Sequence, residues 1–144
     1  MTKITFIGAG SIEFTKNLLG DILTFPELQD CTISLHDIDP VRLQTAEAMA
    51  RWTAKALGAN PTIEAHLDRK KALDGADYAI NMIQVGGHAA TLIDFDIPRR
   101  YGVQQTIGDS HSIGGIFRAL RTIPVMTGIA QDMEAVCPKA MMLN

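Results

Sequence analysis

Residues 4–8, ITFIG, are a short β-branched and aromatic run, and the surrounding FIGAGSIEF places Gly8 and Gly10 directly ahead of a helical pattern. A strand buried on both faces reads as such a continuous apolar run. Glycines at its end let the backbone turn sharply, and they remove the Cβ where another group must come close. This strand–turn–helix opening restricts the chain more than any other feature. It is how a parallel α/β layer begins.

The rest of the chain repeats the alternation. FTKNLLGDILTF carries Leu18, Leu19, Ile22 and Leu23 at helical spacing and closes at Pro26, and CTISLHD reads as a second strand. Asp39-Pro40 predicts a helix from about Val41 to Leu57, with Asp39 as N-cap, Pro40 in the first turn and Gly58 as the stop. TIEAH is a third strand, followed by a short helix ending at Gly75. DYAINMIQV is a fourth strand running into Gly86-Gly87, Gly114-Gly115 begins a long helix to about Glu134, and AMMLN is a fifth strand. Strands alternating with helices predict a Rossmann-like, doubly wound parallel sheet of the lactate/malate dehydrogenase type. With 144 residues, 47% hydrophobic and 20% charged, the expectation is one nucleotide-binding domain over residues 1–144.

The formal net charge of −3 is spread along the sequence without a basic stripe, which argues against nucleic acid or an anionic membrane as partner and favours a small molecule. No apolar run approaches a membrane span of about 20 residues, and MTK leads straight into ITFIG without a signal-peptide pattern. The expected location is the cytoplasm. Cys31 and Cys137 lie far apart without metal-ligand spacing and read as reduced, partly buried thiols.

Gly8 and Gly10 by themselves fit either a structural turn or a turn that approaches a pyrophosphate, held by amides at Ser11 and Ile12 where the helix starts. A second requirement of the nucleotide reading is an acid at the end of strand two. Asp37 supplies it, 27 residues after Gly10 against about 20 in the usual pattern. A carboxylate there can accept ribose hydroxyls and repels a 2′-phosphate, so NAD is expected over NADP. Glu13 stands where a small residue usually lets the helix pack closely, so its side chain must point outward or shift the helix. His36 alternates to the opposite face from Asp37 and reads as a packed histidine.

The block DFDIPRRYGVQQTIGDSHSIGGIFRALRTIPV (residues 94–125) closely resembles glycoside hydrolase family 4, the NAD-dependent glycosidases that depart from the two-carboxylate mechanism. FIGAGS, DIDPVRL, QVGG and DMEAVCPKAMMLN extend the resemblance over essentially the whole chain, and it is greatest to the α-galactosidase-like branch. The resemblance implies that NAD is a catalytic partner: it oxidises the sugar at C3, a base removes the acidified C2 proton, the C1 leaving group departs, water adds, and the sugar is reduced again. Members acting on 6-phosphorylated sugars carry an arginine where this chain has Gln84, and a neutral amide cannot make the bidentate charged contact a phosphate calls for. An unphosphorylated α-galactoside is therefore the expected substrate.

Carried over residue by residue, the resemblance makes Asp109, in QTIGD, the acid that assists leaving-group departure, against a plain helix-entry carboxylate. It assigns Gln84, Val85 and Gly86 to the loop covering the cofactor, and Asn144 to sugar hydroxyls or the nicotinamide, against a mere strand-end residue. Arg118 and Arg121 are left as either site-facing or structural. DSHSIGG departs from the family's Asp-Thr-x-Gly-x-Gly-Gly at Ser110 and Ser112; serine in place of a glycine with positive φ would cost roughly 1 kcal/mol. His111 is left as either a group that reaches the site or a solvated loop histidine.

Family members run to several hundred residues, with a manganese ion and a tyrosine base in segments expected beyond residue 144, so no metal ligand is assigned here. The chain is expected to be the N-terminal, NAD-binding part of a longer enzyme that forms a homo-oligomer, inactive by itself. Two other readings stay open, a 2-hydroxy-acid dehydrogenase domain and a non-catalytic NAD-sensing module.

Overall fold

A computed structural model of the chain describes residues 1–105 and 111–144. In chain order its elements are β1 (Lys3–Ile7), α1 (Ile12–Thr24), β2 (Thr32–His36), α2 (Pro40–Leu57), β3 (Thr62–His66), α3 (Arg69–Leu73), β4 (Tyr78–Asn81), α4 (Gly87–Arg100), α5 (Ile113–Val136) and β5 (Met141–Leu143), with a 3₁₀ turn at Pro26–Leu28. Among the described residues the strands form one sheet in the order β3-β2-β1-β4-β5, and every neighbouring pair is parallel. The chain winds outward from β1 to β3, then crosses over to β4 and β5. The doubly wound expectation holds, and the order reverses at β1 and β4, where open α/β sheets place their ligand crevices.

Two compact units are present, residues 1–83 with 131–144, and residues 84–130. The whole sheet lies in the first. There β1 and β2 are buried on both faces, with different chemistry on each. Ile4, Phe6, Ile33 and Leu35 pack with Leu19 and Leu23 of α1 and with Leu43, Ala46, Ala50 and Ala54 of α2. Each fully buried large side chain of this set is worth about 1.5–3 kcal/mol. On the other face the Thr5 and Ser34 hydroxyls both donate to the Ala72 carbonyl of α3, at 2.9 and 3.0 Å.

Local signals decide the helix ends. Asp39 caps α2 by accepting the Val41 and Arg42 amides (2.9 and 3.1 Å), and the helix stops at Gly58 with φ 69°. Asp68 caps α3 in the same manner. Glu13 is exposed, so α1 keeps its place on the sheet, and the buried Thr15 beneath it donates to the Ala9 carbonyl at 2.8 Å. Arg69 and Lys70, which follow β3, pair with Asp132 in the last turns of α5.

One expectation is corrected, and the condition set on Ser112 is answered. The fourth strand ends at Asn81 and does not run to Val85: after the Met82 amide bonds the Ile7 carbonyl (2.9 Å), β1 turns away at Gly8 and leaves nothing to pair. Ser112 carries no positive-φ strain, since no described non-glycine residue has positive φ. Its hydroxyl accepts the Gly115 amide at 3.0 Å and its carbonyl the Ile116 amide at 2.9 Å, so it caps α5. The structure adds helix α4, which carries Pro98 near its C-terminal end.

Candidate functional site

The glycine turn follows β1 at the carboxyl edge of the sheet. Gly8 takes φ +85°, and a Cβ there would lie 3.2 Å from the Met82 carbonyl and the Ile83 amide nitrogen. The Gly8 and Ala9 amides both donate to the His36 carbonyl at 2.9 Å, and Ser11 donates to Gly8 at 3.0 Å. Gly10 is the tightest point: its amide donates to Asp37 Oδ2 at 2.7 Å, and an added Cβ would fall 2.6 Å from that oxygen and 2.7 Å from Arg42 Cβ. Close approach at Gly10 is thus already used by the protein's own acid.

Asp37 is buried, with 9% of its surface exposed, and its other oxygen accepts the Asp39 amide at 3.0 Å. Each oxygen keeps a second lone-pair direction for another donor. Ser11 precedes α1 with no side-chain cap hydrogen bond, so its hydroxyl leaves the first-turn amides beginning at Ile12 uncapped. The structure thereby gathers Gly8, Gly10, Ser11, Ile12 and Asp37 in one place. It also assigns work to His36 that sequence reading missed, because every residue has a carbonyl and no side-chain signal marks one that receives two amides.

The His36 ring is 5% exposed, with Nδ1 3.0 Å from the His66 carbonyl. Burial lowers its pKa; the His66 carbonyl opposes this, Arg69 adds to it, and Asp37 and Asp68 oppose it. The folded protein therefore resists protonation that the unfolded chain accepts below about pH 6.5. Stability should be complete above that pH and fall as the pH drops from about 6.5 toward the lowered folded value. His36→Asn should flatten the melting temperature between pH 7.5 and 5.5, above the range where carboxylates titrate; an unchanged slope would reject His36 as the cause.

Asn144 follows β5, where its Oδ1 accepts the Asn81 Nδ2 at 2.7 Å. In the second unit, Gln84 donates to Thr91 Oγ1 at 3.1 Å, Val85 accepts Arg121 Nε at 2.9 Å, and Gly86 takes φ 82° before α4. Arg121 also grips both oxygens of the buried Asp94 (3.2 and 2.7 Å), and these hydrogen bonds raise its pKa further above the ordinary arginine value. Arg118 and His111 are exposed. Asp109 lies outside the described residues. Cys31 and Cys137 are buried free thiols whose pKa values burial raises, which suits inert packing.

Among the described residues no group of three or more His, Cys, Asp or Glu side chains can hold a metal ion. Nor, among them, is any helix long and apolar enough to cross a membrane.

The parallel sheet and glycine turn define a Rossmann-like α/β protein. Residues 3–144 match the family described as family 4 glycosyl hydrolase, and the chain belongs to that family. It is 53% identical to an alpha-galactosidase of Bacillus subtilis (strain 168) over 100% of this chain and 34% of that protein. It is 39% identical to an alpha-glucosidase of Erwinia rhapontici over 99% of this chain and 32% of that one. A crystal structure of a 6-phospho-alpha-glucosidase from gut microorganisms, in complex with NAD and glucose-6-phosphate, has the same fold: TM-score 0.87 and 23% identity, covering 98% of this chain and 32% of that one. The chain spans about a third of the length of the relatives it matches.

Proposed function

We propose that the chain is the NAD-binding part of a family 4 glycosidase that hydrolyses unphosphorylated α-galactosides. The observation that carries the reading is the Gly10–Asp37 hydrogen bond beside the uncapped start of α1. There the Ile12 and neighbouring first-turn amides can hold a pyrophosphate on the positive end of the helix, and the outer lone pairs of Asp37 can accept ribose hydroxyls. The residues present fit NAD. When bound, NAD supplies transient oxidation of the sugar at C3 and its reversal. The family resemblance adds Gln84, Val85 and Gly86 to the cofactor set, Asn144 to the sugar side and Asp109 as the acid. The 53% identity to an alpha-galactosidase supports the choice of sugar, and Gln84 in place of arginine supports an unphosphorylated one.

The division of labour is testable on the chain as it stands. Calorimetric titration should reveal NAD binding by about 1 mM, on the scale of 4 kcal/mol, while p-nitrophenyl α-galactoside with NAD, manganese and a reductant should release no nitrophenol. Turnover by residues 1–144 would overturn the expectation that the base and metal lie elsewhere. Absence of binding at that concentration would overturn the nucleotide reading.

A further inference from the structure

We propose that Arg121 is a positioning residue for the Val85–Gly86 segment, which it holds through the Val85 carbonyl while anchored on Asp94; the proposal rests on reading that segment as part of the cofactor site. Asp94 is only 3% exposed, and a carboxylate so buried requires a charged, hydrogen-bonded partner. Arg121 provides it with two of its five N–H donors, Nη1 and Nη2, at 3.2 and 2.7 Å. A third, Nε, reaches the Val85 carbonyl at 2.9 Å across 36 residues of sequence. The guanidinium is planar, so once its fork is seated on Asp94 the direction of Nε is set. The position of Val85 relative to α4 follows from it.

The same side chain packs against the next residue. Gly86 precedes α4 with φ 82°, and a Cβ there would lie 2.6 Å from Ala90 Cβ and 3.2 Å from Arg121 Cδ and Nε. Gln84 is tied separately, by its amide to Thr91 Oγ1, and its carbonyl accepts the Gly87 amide at 3.3 Å. An ion pair that merely joined α4 to α5 would need only Asp94 and the fork. The bond from Nε to a loop carbonyl is extra to that role.

The test compares wild type with Arg121→Lys and with the paired Asp94→Asn/Arg121→Met. Lysine keeps a cation for Asp94 but is a point donor on a flexible stem, unable to fork the carboxylate and reach Val85 together. The paired variant removes the loop bond without leaving a buried charge unpaired. For Arg121→Lys the melting temperature should stay within about 5 °C of wild type. Amide exchange at Gly87 and Ala90 should accelerate about 10-fold or more while exchange in α2 is unchanged, a local opening that a global loss of stability would not produce. NAD affinity should fall about 10-fold in the same variant.

Wild-type exchange at Gly87 and Ala90 in Arg121→Lys would overturn the proposal, as would faster exchange with undiminished NAD affinity. If wild type itself binds no NAD, the proposed function fails, and the exchange data still report whether Arg121 holds the loop. If Arg121→Lys does not fold, the paired variant decides by the same readouts. Failure of both to fold would make Arg121 purely architectural and overturn the positioning role.

Discussion

Gly10→Ala is expected to weaken NAD binding by at least about 10-fold and to lower stability by about 1–3 kcal/mol, the usual range for an overpacked site. The new Cβ would stand 2.6 Å from Asp37 Oδ2 and 2.7 Å from Arg42 Cβ. Neither neighbour is the far end of a flexible side chain. Asp37 is short and pinned by the Asp39 amide, and Arg42 Cβ is fixed to a helix that Asp39 caps. The turn itself must therefore move, which breaks the 2.7 Å Gly10–Asp37 bond and carries the start of α1 away from its position. Gly20→Ala is the matched control: it lies inside α1 with nothing within 4 Å of the added atom, and alanine should raise helix stability by about 0.5–1 kcal/mol. Thermal melts and calorimetric NAD titrations of both variants check the pair. Wild-type affinity in Gly10→Ala would show that the tight approach has no bearing on the cofactor.

Asp37→Ala should act on selectivity as well as affinity. Hydrogen bonds from ribose hydroxyls to a carboxylate are worth about 1.5–3 kcal/mol, so NAD affinity should fall roughly 10- to 150-fold. NADP, whose 2′-phosphate the carboxylate repels, should lose little or gain, and the wild-type preference for NAD should vanish. A stability cost accompanies this, because the Gly10 and Asp39 amides lose their acceptor together. The two effects separate by measurement: a loss of fold lowers the melting temperature and binding of both cofactors alike, whereas loss of recognition changes their ratio. Equal affinities of the wild-type chain for NAD and NADP would contradict the role given to Asp37.

The two variants probe one small piece of architecture that was only half legible beforehand. Gly8, Gly10 and Asp37 stood out because a buried strand ending in glycine and a second strand ending in an acid are sequence patterns. Their mutual contact was not, because the distance between the ends of β1 and β2 depends on the parallel register, Ile7 opposite His36. The usual explanation for a glycine at this position is room for a pyrophosphate; here the room is taken by Asp37, a residue 27 positions away. The same register brings the His36 carbonyl to the Gly8 and Ala9 amides, so a residue read as mere packing also holds the turn.

What the amino-acid order determined by itself were the features governed by local physics. The α2 boundaries followed from the Asp39 cap, Pro40 and Gly58, and the sheet class followed from strands alternating with helices. Tertiary structure alone decided where strand pairing stops, since β4 ends at Asn81 for want of a partner once β1 turns at Gly8, although its own apolar residues continue. It likewise decided between Arg118 and Arg121, one turn apart and chemically identical: Arg121 meets the buried Asp94 and the Val85 carbonyl, while Arg118 faces solvent. A charge pattern along a helix cannot make that choice, because it depends on which carboxylate and which carbonyl the fold brings within 3 Å from 27 and 36 residues away.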